Sequence, residues 1–293
     1  MKWILGLLLV AVSTSAEATD PVVKKLQDIS VTVKSGTGQG SGTLFTRERD
    51  GKNLTFIWTA AHVVDNLRKT REVIDAKTGT KRMVVEFADA TIVQEFRQNG
   101  RRIGETSLDA KVIRYSDSEQ GEDLALLMVR KVNFDTPENS AVFYLEDEAP
   151  DIGTEVYHVG SLLGQFGSNS LTTGVISQIG RVLELGANGI VFDQTTATAF
   201  PGSSGGGMYR KSDGRYVGML VRGAGEGFNF IVPSRRLKAW AKEARIEWAI
   251  DPSVPVPADA ELAKLPIDDA GVTFDAEKKS LGKSFPFLLF RAE

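Results

Sequence analysis

Three short segments of the chain carry side chains that together could turn a hydroxyl group into a nucleophile. His62 lies in the segment TAAHV, Asp123 in EDLALL and Ser204 in PGSSGGG. A serine hydroxyl reacts poorly at neutral pH, so it needs an imidazole to accept its proton and a carboxylate to orient that imidazole. Each residue alone has an ordinary structural explanation. Their order along the chain, with spacings of 61 and 81 residues, favours one catalytic triad.

The elements that must position these residues are predicted to be β-strands. Short apolar or alternating runs are separated by glycines and polar turns, which is the strand pattern. The runs cover residues 29–33, 83–87, 110–115, 124–129, 154–159, 171–179, 189–192 and 216–221. Roughly ten or more strands with little helix between them predict antiparallel barrels and argue against a parallel sheet. The glycine-rich stretch 36–42 lacks a P-loop lysine and is interpreted as a hairpin turn.

One helix is predicted after the last strand. Apolar residues recur there at helical spacing, and Ser234 precedes them as a candidate cap. The residues are Leu237, Trp240, Ala241, Ala244 and Trp248. We expect this helix to pack its apolar face onto the barrels.

The two ends of the chain differ in composition from the rest. Residues 1–18 have a lysine, an apolar run of about ten residues and an A-x-A site, the pattern of a cleaved export signal. Such a run is shorter than the roughly 20 residues of a membrane span, and an uncleaved anchor is the alternative. Residues 251–293 hold five of the ten prolines and are predicted to be an acidic extension, and its segment FPFLLF (285–290) is expected to dock on the body or on a partner. The prediction is an exported protein, periplasmic or secreted, with no stable membrane anchor after cleavage.

Composition narrows the range of functions. The chain has 293 residues, a formal charge of −3 and no cysteine, which excludes thiol catalysis and thiolate metal sites. The charge argues against nucleic acid as a partner. Two histidines without a third ligand make a poor zinc site, so no metal and no cofactor are expected. The second histidine, His158, lies in a predicted strand and is interpreted as structural.

Several motifs around the triad segments resemble those of chymotrypsin-like serine proteases, most closely the bacterial HtrA-like branch. They are GSG (40–42), DAKVI (109–113), QT (194–195) and GFNFIVP (227–233), and the similarity spans residues 24–248. The resemblance implies an all-β fold of two antiparallel six-stranded β-barrels with a C-terminal helix, here residues 19–250. The active site would lie between the barrels. The residues after 250 are too few for the PDZ domain that HtrA-like enzymes often carry.

The same resemblance implies roles for individual residues. Ser204 would be the nucleophile, His62 the general base and Asp123 the residue that orients His62. The backbone amides of Gly202 and Ser204 would form the oxyanion hole. The substrate-binding residues would be Thr198, Val221, Arg222, Gly223 and Gly227. No carboxylate lies at the expected pocket floor, so small or medium uncharged side chains are predicted there.

The predicted function is that of a serine endopeptidase that hydrolyses protein or peptide substrates through an acyl-enzyme intermediate. Ser203 is a rival nucleophile, and it replaces the Asp or Asn common at this position in the family. A serine cannot form the ion pair of zymogen activation, so no such switch is predicted. Two alternatives stay open: a catalytically silent binding protein with this fold, and an esterase-type acyl hydrolase. The triad order argues against the α/β-hydrolase version of the second. The oligomeric state is left open.

Overall fold

The computed structural model describes residues 20–74, 79–98, 100–185, 188–265 and 267–268. The predicted signal segment 1–18 and the FPFLLF segment lie outside the described residues.

Eight strands make up the N-terminal half. They are β1 (Ser30–Ser35), β2 (Gly38–Arg49), β3 (Lys52–Thr59), β4 (Arg68–Ile74), β5 (Lys81–Phe87), β6 (Ala90–Gln98), β7 (Arg101–Ser116) and β8 (Leu124–Val129). Six of them close into an antiparallel barrel in the order β1-β2-β3-β8-β7-β6. Strands β4 and β5 form a separate hairpin, so the run 83–87 is a strand that lies outside the barrel.

A second barrel follows, and it also has six strands. They are β9 (Glu155–Leu162), β10 (Gly167–Leu185), β11 (Asn188–Thr195), β12 (Gly207–Arg210), β13 (Tyr216–Gly225) and β14 (Phe228–Pro233). Their order around the barrel is β10-β11-β14-β13-β12-β9, and each pair is antiparallel. The predicted all-β fold of two six-stranded antiparallel barrels is confirmed.

The glycine-rich stretch 36–42 forms the predicted hairpin. Ser35 of β1 pairs with Gly38 of β2, which leaves Gly36 and Thr37 as a two-residue turn. Gly36 has a φ of +59°, a conformation in which a side chain would be strained.

Four α-helices are described: α1 (Pro21–Asp28), α2 (Ala61–Val64), α3 (Ser234–Glu243) and α4 (Asp259–Leu262). Helix α3 is the predicted C-terminal helix, but two details of that prediction were wrong. Ser234 is its first helical residue and makes no capping bond. The helix ends at Glu243 because Arg245 adopts a φ of +56°, so Trp248 lies in a separate 3-10 turn, Glu247–Ala249.

The C-terminal helix and the 3-10 turn pack on the first barrel through aromatic side chains, as expected. The ring centroids of Trp58 and Trp240 are 5.9 Å apart, and those of Phe56 and Trp248 are 4.8 Å apart. The indole nitrogen of Trp58 also donates to the Ala249 carbonyl at 3.1 Å. These contacts join the end of the second barrel to the core of the first.

The described part of the extension, residues 251–265 and 267–268, runs along the first barrel, and we call it the C-terminal strap. Val256 in the strap is buried. Arg49 pairs with Asp259 at 2.6 Å, and the Tyr115 amide donates to the Ile267 carbonyl at 2.7 Å. This part of the extension therefore docks on the chain's own first barrel.

Candidate active site

His62 and Asp123 meet in the first barrel, although 61 residues separate them in sequence. His62 lies in α2, directly after β3, and Asp123 lies in the turn that leads into β8. Both Asp123 carboxylate oxygens are 3.0 Å from the His62 Nδ1, and the His62 backbone amide donates to Oδ1 at 3.1 Å. The Asp123 side chain is almost fully buried, at 3% exposed. This arrangement holds the proton on Nδ1 and leaves Nε2 as the basic nitrogen.

Arg236 supports this pair from α3, and the sequence analysis did not single it out. Its Nε donates to the Glu122 carboxylate at 2.6 Å and its Nη2 to the Glu122 carbonyl at 3.1 Å. Its Nη1 donates to the Val191 carbonyl at 2.8 Å. The turn that carries Asp123, whose φ is +56°, is thereby tied to the second barrel. The adjacent acidic pair Glu122-Asp123 was the only sequence signal for such a partner.

Ser204 lies on a tight turn between β11 and β12. The Ser203 amide donates to the Phe200 carbonyl at 2.9 Å, and Gly202 has a φ of +95°. A Cβ on Gly202 would lie 2.4 Å from the Ser161 carbonyl oxygen, so only glycine fits. The turn places Ser204 on the same cleft as His62.

Ser204 and His62, the predicted nucleophile and base, line one cleft without a direct hydrogen bond. The Ser204 Oγ is 3.5 Å from the Val221 carbonyl oxygen, and the His62 Nε2 has no hydrogen-bond partner among the described residues. Catalytic hydrogen bonds are often long before substrate binds and tighten in the complex. Of the predicted triad, His62 and Asp123 are therefore hydrogen-bonded to each other, and Ser204 and His62 are not.

The peptide between Pro201 and Gly202 has a defined orientation. The Pro201 carbonyl accepts the Leu163 amide at 2.7 Å. Because a trans peptide is planar, the Gly202 N–H points in the opposite direction to that carbonyl. Gly202 and Ser204, the two residues predicted to supply the oxyanion hole, line the same cleft.

Ser203 is placed differently from its neighbour. Its side chain is fully buried, and its hydroxyl oxygen accepts the Phe200 amide at 3.1 Å. It is absent from the residues that line the cleft. Of the two adjacent hydroxyl groups, Ser204 is the one that shares the cleft with His62.

Four of the five predicted substrate-binding residues, Val221, Arg222, Gly223 and Gly227, belong to the β13–β14 hairpin, which reaches Ser204 through Val221. The Val221 carbonyl faces Ser204, Gly223 pairs with Asn229, and Gly227 is in the hairpin turn. Of these, only Val221 comes directly to the nucleophile.

The Arg222 side chain and the carbonyl of Thr198, the fifth predicted residue, are held by contacts elsewhere. Arg222 Nη2 donates to the Ser118 carbonyl at 3.0 Å, and the Thr198 carbonyl accepts the Thr172 hydroxyl at 2.8 Å. None of the five residues lines the cleft at His62.

The other histidine belongs to the core of the second barrel. His158 is fully buried in β9, and its Nδ1 is 3.2 Å from the Gly207 carbonyl. Burial lowers the pKa of His158 to about 4, which the bond to Gly207 opposes only in part. The imidazole is therefore neutral near pH 7 and donates its Nδ1–H to Gly207.

Neither a metal cluster nor a spanning helix is found in the part of the chain that the structure describes. No group of three or more His, Asp or Glu side chains there could hold a metal ion. No helix among the same residues is long and apolar enough to cross a membrane.

Comparison with known proteins identifies the family. The family model of the trypsin-like peptidase domain matches residues 40–219, which include His62, Asp123 and Ser204. The chain belongs to the trypsin-like peptidase family. Its assignment as a serine endopeptidase follows from this membership. No curated protein matches this peptidase.

Solved structures show the same fold at low identity. The inactive form of Rv3671c from M. tuberculosis H37Rv has a TM-score of 0.53 and 19% identity, and the match covers 86% of this peptidase and 100% of that chain. A serine-to-alanine variant of the HtrA-type protease AlgW with a tripeptide has a TM-score of 0.53 and 20% identity, and the match covers 78% of this peptidase and 64% of that chain. The serine endoprotease from Yersinia pestis has a TM-score of 0.51 and 21% identity, and the match covers 78% of this peptidase and 65% of that chain. The expected resemblance to chymotrypsin-like proteases with HtrA-type neighbours is confirmed.

Proposed function

We propose that this trypsin-like peptidase cleaves peptide bonds with His62, Asp123 and Ser204 as its triad. The observation that carries the proposal is the buried Asp123 carboxylate at 3.0 Å from the His62 Nδ1, with His62 and Ser204 on one cleft. A hydroxyl activated by an imidazole that a carboxylate orients is an established arrangement for acyl transfer.

The reaction uses these groups in two steps. His62 Nε2 takes the proton from the Ser204 hydroxyl as Oγ attacks the substrate carbonyl carbon. The amides of Gly202 and Ser204 stabilise the oxyanion that forms. The C–N bond breaks as the imidazolium gives its proton to the leaving amine, which produces the acyl-enzyme. A water molecule, deprotonated by the His62 Nε2, then attacks the ester carbonyl carbon. The imidazolium returns the proton to the Ser204 Oγ as the ester C–O bond breaks and the acid product leaves.

We assign the substrate residues before the scissile bond, which we call the acyl side, to the edge of β13. Val221, Arg222 and Gly223 continue from the nucleophile, and Gly227 and Thr198 complete the expected pocket for the side chain before the scissile bond. The residues named for this pocket carry no carboxylate, which supports small or medium uncharged side chains there.

The domain limits and the location belong to the same proposal. Residues 19–250 form the protease domain, 1–18 direct export to the periplasm or exterior, and 251–293 are an appendage to the catalytic body. The positive start, apolar run and A-x-A site of the leader support export.

The test is labelling of the purified protein with a fluorophosphonate probe, with the modified residue located by mass spectrometry. Labelling at Ser204 is expected in the wild type and in Ser203→Ala, and its loss is expected in Ser204→Ala and His62→Ala. Turnover of a peptide substrate should fall about a millionfold in Ser204→Ala or His62→Ala and roughly ten-thousandfold in Asp123→Asn. Labelling at Ser203, or none in folded wild type, would contradict the proposal; the second result favours the silent binding protein.

A further inference from the structure

The cleft that His62 and Ser204 share extends away from Ser204 on the His62 side. It has a volume of about 270 Å³, and its wall includes Ser35, Gln39, Asp65 and Asn66. None of the β13 residues assigned to the acyl side lines it. The cleft therefore begins at the catalytic groups and lies apart from the acyl-side strand.

The chemistry of the proposed reaction decides which part of the substrate enters this cleft. The leaving amine receives its proton from the His62 Nε2, so it must lie within hydrogen-bond distance of that atom. His62 lines the cleft, and its Nε2 has no partner among the described residues. The residues that follow the scissile bond are thereby directed into the cleft.

Most polar groups in the cleft wall are already engaged with the protein. The Ser35 hydroxyl donates to the Val63 carbonyl, and the Asn66 amide donates to the Ser35 carbonyl. The Gln39 side-chain oxygen accepts the Gln165 amide at 2.9 Å. These bonds fix the shape of the wall.

Asp65 is the one carboxylate among the described residues that line the cleft. Its Oδ1 accepts the hydroxyl of buried Tyr115 at 2.9 Å, which holds the carboxylate in place. Burial, together with the charge of Asp65, raises the pKa of the Tyr115 hydroxyl, so that hydroxyl stays a donor.

The cations close to the cleft residues in sequence, Arg68 and Lys34, bond to groups other than Asp65. Arg68 is paired with Asp268 of the C-terminal strap, and the Lys34 ammonium donates to the Gln165 side chain. Within the described part of the chain, Asp65 takes part in no ion pair, and no lysine or arginine lines the cleft. The described wall thus carries a negative charge that a substrate cation could neutralise.

We infer that this cleft is a leaving-group subsite that selects a basic side chain, lysine or arginine, at the first or second position after the scissile bond, with Asp65 as the specificity-determining residue. The inference rests on the proposed function and extends it to the leaving-group side. An ion pair at a solvated site changes selectivity modestly, so a preference of about three- to tenfold over glutamate is expected.

The test uses internally quenched peptides with a randomised acyl side and with Lys, Gln or Glu at each of the two positions after the cleavage site. For the wild type, kcat/KM is expected to fall from Lys to Gln to Glu at one of those positions. Asp65→Asn should abolish most of this ranking, because it removes the charge and keeps an acceptor for Tyr115. Tyr115→Phe is the matched control, since it removes the hydrogen bond and keeps the charge, and the ranking should persist. Added salt should weaken the wild-type ranking.

The outcomes separate the two proposals when the fluorophosphonate label is measured in parallel. If Ser204 is labelled and Asp65→Asn leaves the ratio between the lysine and glutamate peptides unchanged, the subsite inference is wrong and the proposed function stands. If Ser204 is not labelled and no peptide is cleaved, the proposed function is wrong and the inference falls with it. A loss of rate in Asp65→Asn that is equal for all peptides would also contradict the inference, because it indicates a structural role.

Discussion

The two histidines of this peptidase have opposite environments, and the difference explains their roles. His62 lies beside a buried carboxylate and lines the cleft. His158 is enclosed by the second barrel, where a neutral imidazole bonds to the Gly207 carbonyl. The same side chain is thus oriented by a carboxylate beside the cleft in one place, as the proposed proton transfer requires, and packed in a barrel core in the other.

His158 should make stability depend on pH. Its pKa is lowered to about 4 in the folded protein, against an ordinary value near 6.5. The unfolded chain therefore binds more protons between these values, and stability is lost as the pH falls from about 6.5 to about 4. The loss is about 3 kcal/mol.

The measurement is urea unfolding of the wild type and His158→Gln between pH 7 and pH 4. The wild type is expected to lose about 3 kcal/mol more than His158→Gln over this range. His62→Gln serves as the control, because it removes the other histidine and keeps His158. Parallel curves for the wild type and His158→Gln would show that His158 has no such effect.

The C-terminal strap has no periodic pattern of apolar residues, yet it packs on the first barrel. Its prolines and charges favour an extended chain, and it is fastened at intervals: Val256 is buried, Asp259 pairs with Arg49, and the Ile267 carbonyl accepts the Tyr115 amide. The last contact is backbone pairing with the end of β7. Because backbone pairing does not depend on a periodic side-chain pattern, the sequence of the strap gives no signal for it.

Removal of the strap should lower thermal stability. A chain that ends after Asp251 loses the burial of Val256, worth about 1.5–3 kcal/mol, as well as the contacts of Asp259 and Ile267. For a domain of this size each kcal/mol corresponds to roughly 2–4 °C, so a decrease in Tm of about 5–10 °C is expected.

The matched comparison is a chain that ends after Asp268, which keeps the strap. Both truncated proteins are followed by calorimetry at the same pH. Equal Tm values for the two chains would show that the strap contributes nothing to the stability of the barrels.

The active site depends on how the two barrels are joined. Ser41 of the first barrel donates its hydroxyl to the Gly202 carbonyl at 2.7 Å and accepts the Ser161 amide at 2.7 Å. Its backbone amide donates to the Ser204 carbonyl, also at 2.7 Å. One buried serine of the first barrel therefore holds the turn of the second barrel that carries Ser204.

Ser41→Ala should reduce both stability and activity. It leaves the Gly202 carbonyl and the Ser161 amide without this partner, which lowers the free energy of unfolding by about 1–3 kcal/mol for each buried group. It also loosens the turn that positions Gly202, so we expect kcat to fall more than KM rises.

Thr43→Val is the control, because Thr43 also bridges the barrels, through the buried Tyr209 hydroxyl at 3.1 Å, and this bond does not involve the nucleophile turn. Urea unfolding and peptide hydrolysis are measured on both variants. Both variants are expected to lose a similar amount of stability. Only Ser41→Ala is expected to lose activity. Equal effects on kcat would contradict a local role for Ser41.

Much of the architecture could be predicted from local patterns. Alternating apolar residues predicted the strands, and the glycines at 36–42 predicted a hairpin. Helix α1 was missed, although Asp20 caps it and Pro21 begins it, a recognisable start signal. The predicted cap at Ser234 was wrong, because Ser234 is already the first helical residue of α3. The helical position of Trp248 was wrong, because the left-handed residue Arg245 ends α3 early.

The residue types along the chain specify which chemical groups are available: His62, Asp123 and Ser204 in the order of a serine protease, with glycines beside Ser204. Which of these groups meet depends on the folded arrangement of the strands. Barrel closure brings Asp123 to His62, the turn at Gly202 presents Ser204 and buries Ser203, and α2 leads Asp65 to the cleft. Residue type and periodicity are local properties of the chain, whereas these contacts join residues far apart in sequence and depend on how the strands pair around each barrel.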